Sequence, residues 1–225
     1  LLKKIGLGHI EWIVTFDNYH SNPLFNENIS GYSLSSVCAD FMVHEDFLDN
    51  NFLDNFFDPF CKKVMYNNYR NITIPLLEKS NVDSTEKRNR LISILNNYAA
   101  NYSKINFNIE AELESDKLLE IVSQRPNIFV TYDTGNITSC GFDHYKYIMK
   151  IKNKISQVHL KDRKVGSAET FFPGKGDTNF KLVFDILKQI GFSGEYTLQT
   201  SRGNSGEEID TIKKHKLIME NYYNG

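Results

Sequence analysis

Short β-branched or aromatic runs recur along the chain: HIEWIV (9–14), SLSSVCAD (33–40), NITIPLL (71–77), KINFNIEAE (104–112), NIFVTYD (127–133), ISQVHLKD (155–162) and EYTLQT (195–200). Each reads as a strand. Between several of them the apolar spacing changes to a helical period. Over 84–102, Leu91, Ile92, Leu95, Tyr98 and Ala99 fall on one face, and Ser84 stands where an N-cap belongs. The stretches 115–124 and 179–191 repeat the design. In the second, Asn179 can cap the start and Gly191 can end the helix as a C′ residue. Strands that alternate with helices imply βα units and a parallel sheet.

Seven strands admit an open doubly wound sheet, but no glycine-rich phosphate turn follows an early strand. The alternative is a (β/α)8 TIM barrel whose first strand lies ahead of Leu1, with LLKKIGLG as the end of the first helix. We expect this barrel, as a single domain over 1–225. A chain that opens on Leu rather than Met is expected to start inside a longer protein.

The reason for preferring the barrel is chemical, since a barrel gathers the carboxyl ends of its strands on one face. Those ends carry Glu11, Asp40, Glu78, Glu110, Asp133, His159 and Gln199. Each has a plain reading when taken alone. Asp40 or Glu78 can cap the next helix, His159 can be a satisfied core histidine, and Glu112 and Glu114 can be solvated or capping residues. Glu110, Asp133 and His159, however, end three successive strands. Two carboxylates and an imidazole suit Mn²⁺, Mg²⁺, Co²⁺ or Zn²⁺ and leave positions open for substrate oxygens. A divalent cation would also remove the repulsion between the two carboxylates.

Composition narrows the partners. The net charge is −2, with Lys and Arg mixed among Asp and Glu, so no basic stripe for nucleic acid is expected. Cys38, Cys61 and Cys140 are scattered and odd in number, which fits neither a disulfide framework nor a zinc cage and points to a reducing cytoplasm. No apolar run has membrane-spanning length, so no membrane partner is expected.

The segments LGHIEWI, NPL (22–24), SSVCADFM, IPLLEKSNV, IEAEL, PNIFVTYDTGN, GFD, VHLKDR, PGKGDTNFKLVFDIL and YTLQTSRG together resemble the sugar-phosphate isomerase/epimerase superfamily. These are xylose isomerase-like (AP endonuclease 2-type) TIM barrels, among them hexulose-phosphate isomerases, ketose 3-epimerases and hydroxypyruvate isomerases. The likeness runs from about Ile5 to Arg202, and YDTGN, VHLKDR and GKGD are its most specific pieces. It implies one divalent metal ion held by Glu110, Asp133, His159 and residue 199, and a small-molecule sugar or sugar phosphate as substrate. In the family, Glu residues at the first and last of these positions shuttle a proton through an ene-diolate. Glu110 and Gln199 are therefore the catalytic candidates.

This chain departs from the pattern twice. Gln199 stands where the family has a Glu; an amide oxygen can ligate a hard cation but cannot act as a base. Either isomerisation proceeds on Glu110 alone, or the barrel binds a sugar without catalysis. Asn136 stands where several members place a substrate-contacting His. Further substrate-binding candidates are Glu11 (or a salt bridge), Asp162 and Arg163 (or a pair with each other), Lys175 in the PGKGD loop, and Arg202 after the last strand (or a structural ion pair). Trp12 reads as packing rather than a sugar platform. A possible homo-oligomer stays open, as does a phosphodiesterase related to endonuclease IV, although His residues at strand ends are too few for its three-metal cluster.

Overall fold

The computed structural model describes residues 2–29, 31–44 and 46–225. Among them are seven strands, β1 (Ile10–Ile13), β2 (Leu34–Cys38), β3 (Asn71–Leu76), β4 (Asn106–Ala111), β5 (Ile128–Asp133), β6 (Ile155–Leu160) and β7 (Glu195–Leu198). The sheet order follows the sequence, and the registered pairs are parallel. The helices are α1 (Leu2–Ile5), α2 (Pro23–Asn26), α3 (Asn50–Phe52), α4 (Asp58–Tyr66), α5 (Thr85–Asn101), α6 (Ser115–Val122), α7 (Thr134–Ser139), α8 (His144–Ile151), α9 (Phe180–Gln189) and α10 (Glu208–Asn224). The opening stretch LLKKIGLG holds a short helix, α1, with Leu1 itself outside the described residues. The chain divides into two compact units, one of His9–Val130 and one of Leu1–Gly8 with Thr131–Gly225.

In the unit His9–Val130, β3 and β4 pair over six positions from Asn71↔Asn106 to Leu76↔Ala111. Asn106 donates to the Asn71 side chain at 3.0 Å, and Asn71 donates to the Ser35 carbonyl at 3.0 Å. These amides satisfy the polar amino ends of the strands where an apolar side chain would leave backbone unpaired. Ser84 caps α5 as expected, accepting from the Lys87 N–H at 3.2 Å. Its buried face differs in that Arg88 and Ile94 lie inside and Ile92 is only partly covered. A 100° step places 94, 95, 91 and 98 together and carries 92 to the flank.

The helical stretch from Asn50 to Tyr66 has no counterpart among the expected elements. It holds a π turn over Leu53–Phe57 that leads into Pro59 at the start of α4. A wider turn tolerates the missing proline N–H. Phe52, Leu53, Phe57, Phe60, Cys61 and Val64 still fall inward at helical spacing. The aromatic and Asn-rich composition hides that period from propensity.

In the other unit, Asn179 caps α9 by accepting from Leu182 N–H at 3.0 Å, and Gly191 ends it at φ +70°, both as expected. Phe180 and Phe184 of α9 pack on Tyr222 and Tyr223 of α10, with centroids 5.6 and 5.3 Å apart. Only His215 and Met219 of α10 are buried, so a polar residue occupies the inner face and the apolar period that marks a helix is weak.

Candidate functional site

β5, β6 and β7 deliver the polar residues of the second unit. Asp133 closes β5 and at once caps α7, its Oδ1 accepting from the Asn136 N–H at 2.9 Å. The plain capping role considered for Asp40 and Glu78 therefore belongs to Asp133. Asp40 and Glu78 instead open 3₁₀ turns, at Asp40–Met42 and Glu78–Ser80, without serving as caps. The other oxygen of Asp133 faces the Lys161 ammonium at 2.8 Å and the His159 Nδ1 at 3.9 Å. Asp133, His159 and Lys161 are all buried. Lys161 follows β6 by one residue, and it and His159 approach the same Asp133 oxygen.

β7 carries Gln199 one residue past its end, with the Gln199 N–H still bonded to the Leu160 carbonyl at 3.1 Å. The Gln199 side-chain oxygen is buried and has no hydrogen-bond partner among the described residues. A carbonyl oxygen left in that state is costly unless a hydrogen-bond donor or a cation meets it. Asn136 is buried in the first turn of α7.

Asp162, a substrate-binding candidate, anchors a loop in the structure. Fully buried, it accepts from the backbone N–H groups of Gly174, Lys175 and Gly176 at 2.8, 3.1 and 2.9 Å on one oxygen, and from Thr178 N–H at 3.2 Å on the other. Three successive amides closing on one carboxylate oxygen form a nest. A Cβ at residue 176 would lie 2.2 Å from the Asp162 oxygen, so only glycine allows that approach. The PGKGD loop is thus tied down, and the Lys175 side chain it carries is exposed. Arg163 is buried and takes part in the same turn through its backbone, which accepts from Asp177 N–H at 2.9 Å. Arg202 is exposed.

The helix behind Asp133 is held by His144. Tyr132 Oη lies 2.5 Å from His144 Nδ1, and Thr138 Oγ1 lies 3.0 Å from Nε2. Burial pushes the imidazole down from its ordinary 6.5 to about 4, against a smaller opposing pull from Asp143. Between these values the unfolded chain takes up a proton that the folded chain refuses. Stability is therefore full above pH 6.5 and is lost as pH falls toward 4. The loss is at most about 3 kcal/mol. Melting curves at pH 7.5 and 5 should show a larger drop in Tm for the natural chain than for His144→Gln; equal drops would rule this out.

In the unit His9–Val130, Glu11 accepts from Ser36 Oγ at 2.5 Å and Thr73 Oγ1 at 2.8 Å, so hydroxyls of β2 and β3 hold it in place. Glu110 is the penultimate residue of β4 and is buried. Trp12 packs, donating to Asn22 at 2.9 Å with Tyr32 against its ring. Glu114 is exposed and pairs with Lys117 at 3.1 Å. Asp17, Asp40 and Glu78 line a cleft of about 390 Å³ together with Phe16.

A family model described as xylose isomerase-like TIM barrel matches residues 70–218. The chain belongs to this family. The βα order described above is the TIM-barrel arrangement, with seven strands among the described residues. An inosose dehydratase of Clostridium tetani is 30% identical over 133 residues, which are 50% of this chain and 44% of that protein. An inosose dehydratase of Geobacillus thermodenitrificans is 28% identical over 155 residues, covering 57% of this chain and 52% of the other. The chain thus spans about half the length of the curated relatives it matches. Among solved structures, the IOLI protein with a zinc atom is similar at TM-score 0.76 and 18% identity, covering all of this chain and 92% of that one. That likeness bears on the fold. No helix among the described residues is long and apolar enough to cross a membrane.

Sequence reading overlooked Thr134 and Gly135. Their signal is visible only in space, where Thr134 hydrogen-bonds the backbone of Lys161 and Gly135 leaves room for its stem.

Proposed function

We propose that the chain binds one divalent cation, Mn²⁺, Mg²⁺, Co²⁺ or Zn²⁺, through Glu110, Asp133, His159 and Gln199. Glu110 then removes a proton from the carbon beside a sugar carbonyl. The observation that carries the reading is the buried Gln199 oxygen, which has no hydrogen-bond partner among the described residues and is free to ligate a cation. Two buried carboxylates and a buried imidazole make a donor set of the kind that holds a metal ion. A zinc atom in the similar IOLI structure is in keeping with this. Such an ion, when bound, supplies Lewis-acid polarisation of the substrate carbonyl.

The remaining work falls to this chain's own residues. Glu110 takes the proton and can return it to the neighbouring carbon on the same face, while the hydroxyl proton passes to the former carbonyl oxygen, which converts an aldose to a ketose or the reverse. The amide at 199 takes up no proton, so epimerisation with a base on each face is disfavoured. Glu11 and Asn136 are offered to sugar hydroxyls. Arg163, Lys175 and Arg202 are offered to a phosphate or carboxylate.

Gln199 favours a second one-base reading, dehydration, in keeping with the relatives named inosose dehydratase. There Glu110 removes the proton beside the carbonyl, the hydroxyl on the next carbon leaves with a proton as water, and an unsaturated ketone results. The test is incubation of Mn²⁺-loaded protein in D₂O with ketoses, ketose phosphates and inososes. Deuterium entering beside the carbonyl supports the reading, and a rising enone absorbance selects dehydration. Tight sugar binding without exchange on any member would indicate a non-catalytic sugar-binding barrel instead.

A further inference from the structure

We propose that Lys161 is a built-in cation of the metal site, which holds Asp133 in the metal-free protein and sets metal affinity by competing for it. The inference rests on the metal reading above and concerns residues of one unit.

The sequence Asp133-Thr134-Gly135 forms a cradle for this lysine. Asp133 takes the head, its oxygen lying 2.8 Å from the Lys161 ammonium. Thr134 takes the backbone from both sides: its hydroxyl donates to the Lys161 carbonyl at 2.6 Å and accepts from the Lys161 N–H at 2.9 Å. Gly135 makes room for the stem. A Cβ there would lie 2.8 Å from Lys161 Cγ and 3.0 Å from its Cβ and Cδ, closer than side chains tolerate. Lys161 is only 7% exposed. A lysine so enclosed gives up hydration and rotamer freedom, which a solvated surface lysine would keep.

Both oxygens of Asp133 are engaged by this chain, one by Asn136 N–H and the other by Lys161. A metal ion on either oxygen therefore lies beside a group already there, and one on the oxygen that also faces His159 must share it with the ammonium or displace it. The proposed ligands bring two negative charges, on Glu110 and Asp133, because Gln199 and a neutral imidazole bring none. The ammonium offsets one of them. Like charges a few ångström apart in a protein repel by several times thermal energy, so the lysine weakens binding of a dication. In the metal-free state the same ammonium keeps a buried carboxylate from standing unpaired.

The test is calorimetric titration of the metal-free protein with Mn²⁺, alongside melting curves. Lys161→Met should bind Mn²⁺ at least ten-fold more tightly than the natural chain. It should melt lower without metal, and show a larger rise in Tm on adding metal. Lys161→Arg, which keeps the charge, should stay within a few-fold of the natural affinity. Should Lys161→Met not fold, Lys161→Gln removes the charge, keeps a donor for Asp133 and carries the same expectation. Unchanged or weaker Mn²⁺ binding in a folded charge-removing variant would overturn the proposal while leaving the metal reading intact. Absence of Mn²⁺ binding in the natural chain and in both charge-removing variants would overturn the two together.

Discussion

Glu110→Gln should lower deuterium exchange into substrate by about a thousandfold, within the range that a positioned acid–base group contributes, while the far-UV spectrum and melting temperature stay close to those of the natural chain. The substitution is nearly isosteric and keeps an oxygen that can ligate a cation. What it removes is the capacity to accept a proton. Glu110 is buried at the end of β4, where it sits on a rigid strand rather than on a loop. Residue 199 already carries an amide, so no carboxylate remains at either of the family's two proton-shuttling positions in the variant. Gln199→Glu should work in the opposite direction. By restoring a base on the other face it should add epimerised product to whatever the natural chain makes. Exchange in Glu110→Gln within three-fold of the natural rate, read by NMR in D₂O, would show that another group moves the proton.

The largest effect on stability is expected at Asp162. Its carboxylate accepts four backbone N–H groups of residues 174–178 from a fully buried position. Asp162→Ala leaves those donors facing a cavity. Each buried unsatisfied donor costs about 1–3 kcal/mol, and water entering the space recovers part of it. A net loss on the order of 3–5 kcal/mol is expected, which corresponds to a fall in Tm of about 10–15 °C at this chain length. Gly176→Ala should fall in the same direction, because its Cβ would intrude on the same carboxylate. Thermal melts decide the matter. A fall below 3 °C in Asp162→Ala would mean that the loop holds itself without the aspartate.

Much of the fold was legible because burial and backbone pairing leave periodic marks. All seven strands lie where β-branched and aromatic runs placed them. Ser84, Asn179 and Gly191 cap or end the helices where they were expected. The signals failed where composition and period disagree. The stretch 50–66 buries aromatics around a π turn, and α10 places His215 on its inner face.

The sequence by itself determined the order of the strands, the helices over 84–102, 115–124 and 179–191, and the residue types at the strand ends, Glu110, Asp133, His159 and the anomalous Gln199 among them. Each of these follows from local spacing, which one chain displays in full. The tertiary structure alone decided how those residues are used. It made Asp133 a lysine partner and Asp162 a loop anchor, and made Gly135 a space for the Lys161 stem. The lysine pairing, the loop anchoring and the space at Gly135 depend on distances between residues some ten to thirty positions apart, and those distances exist only once the chain has folded.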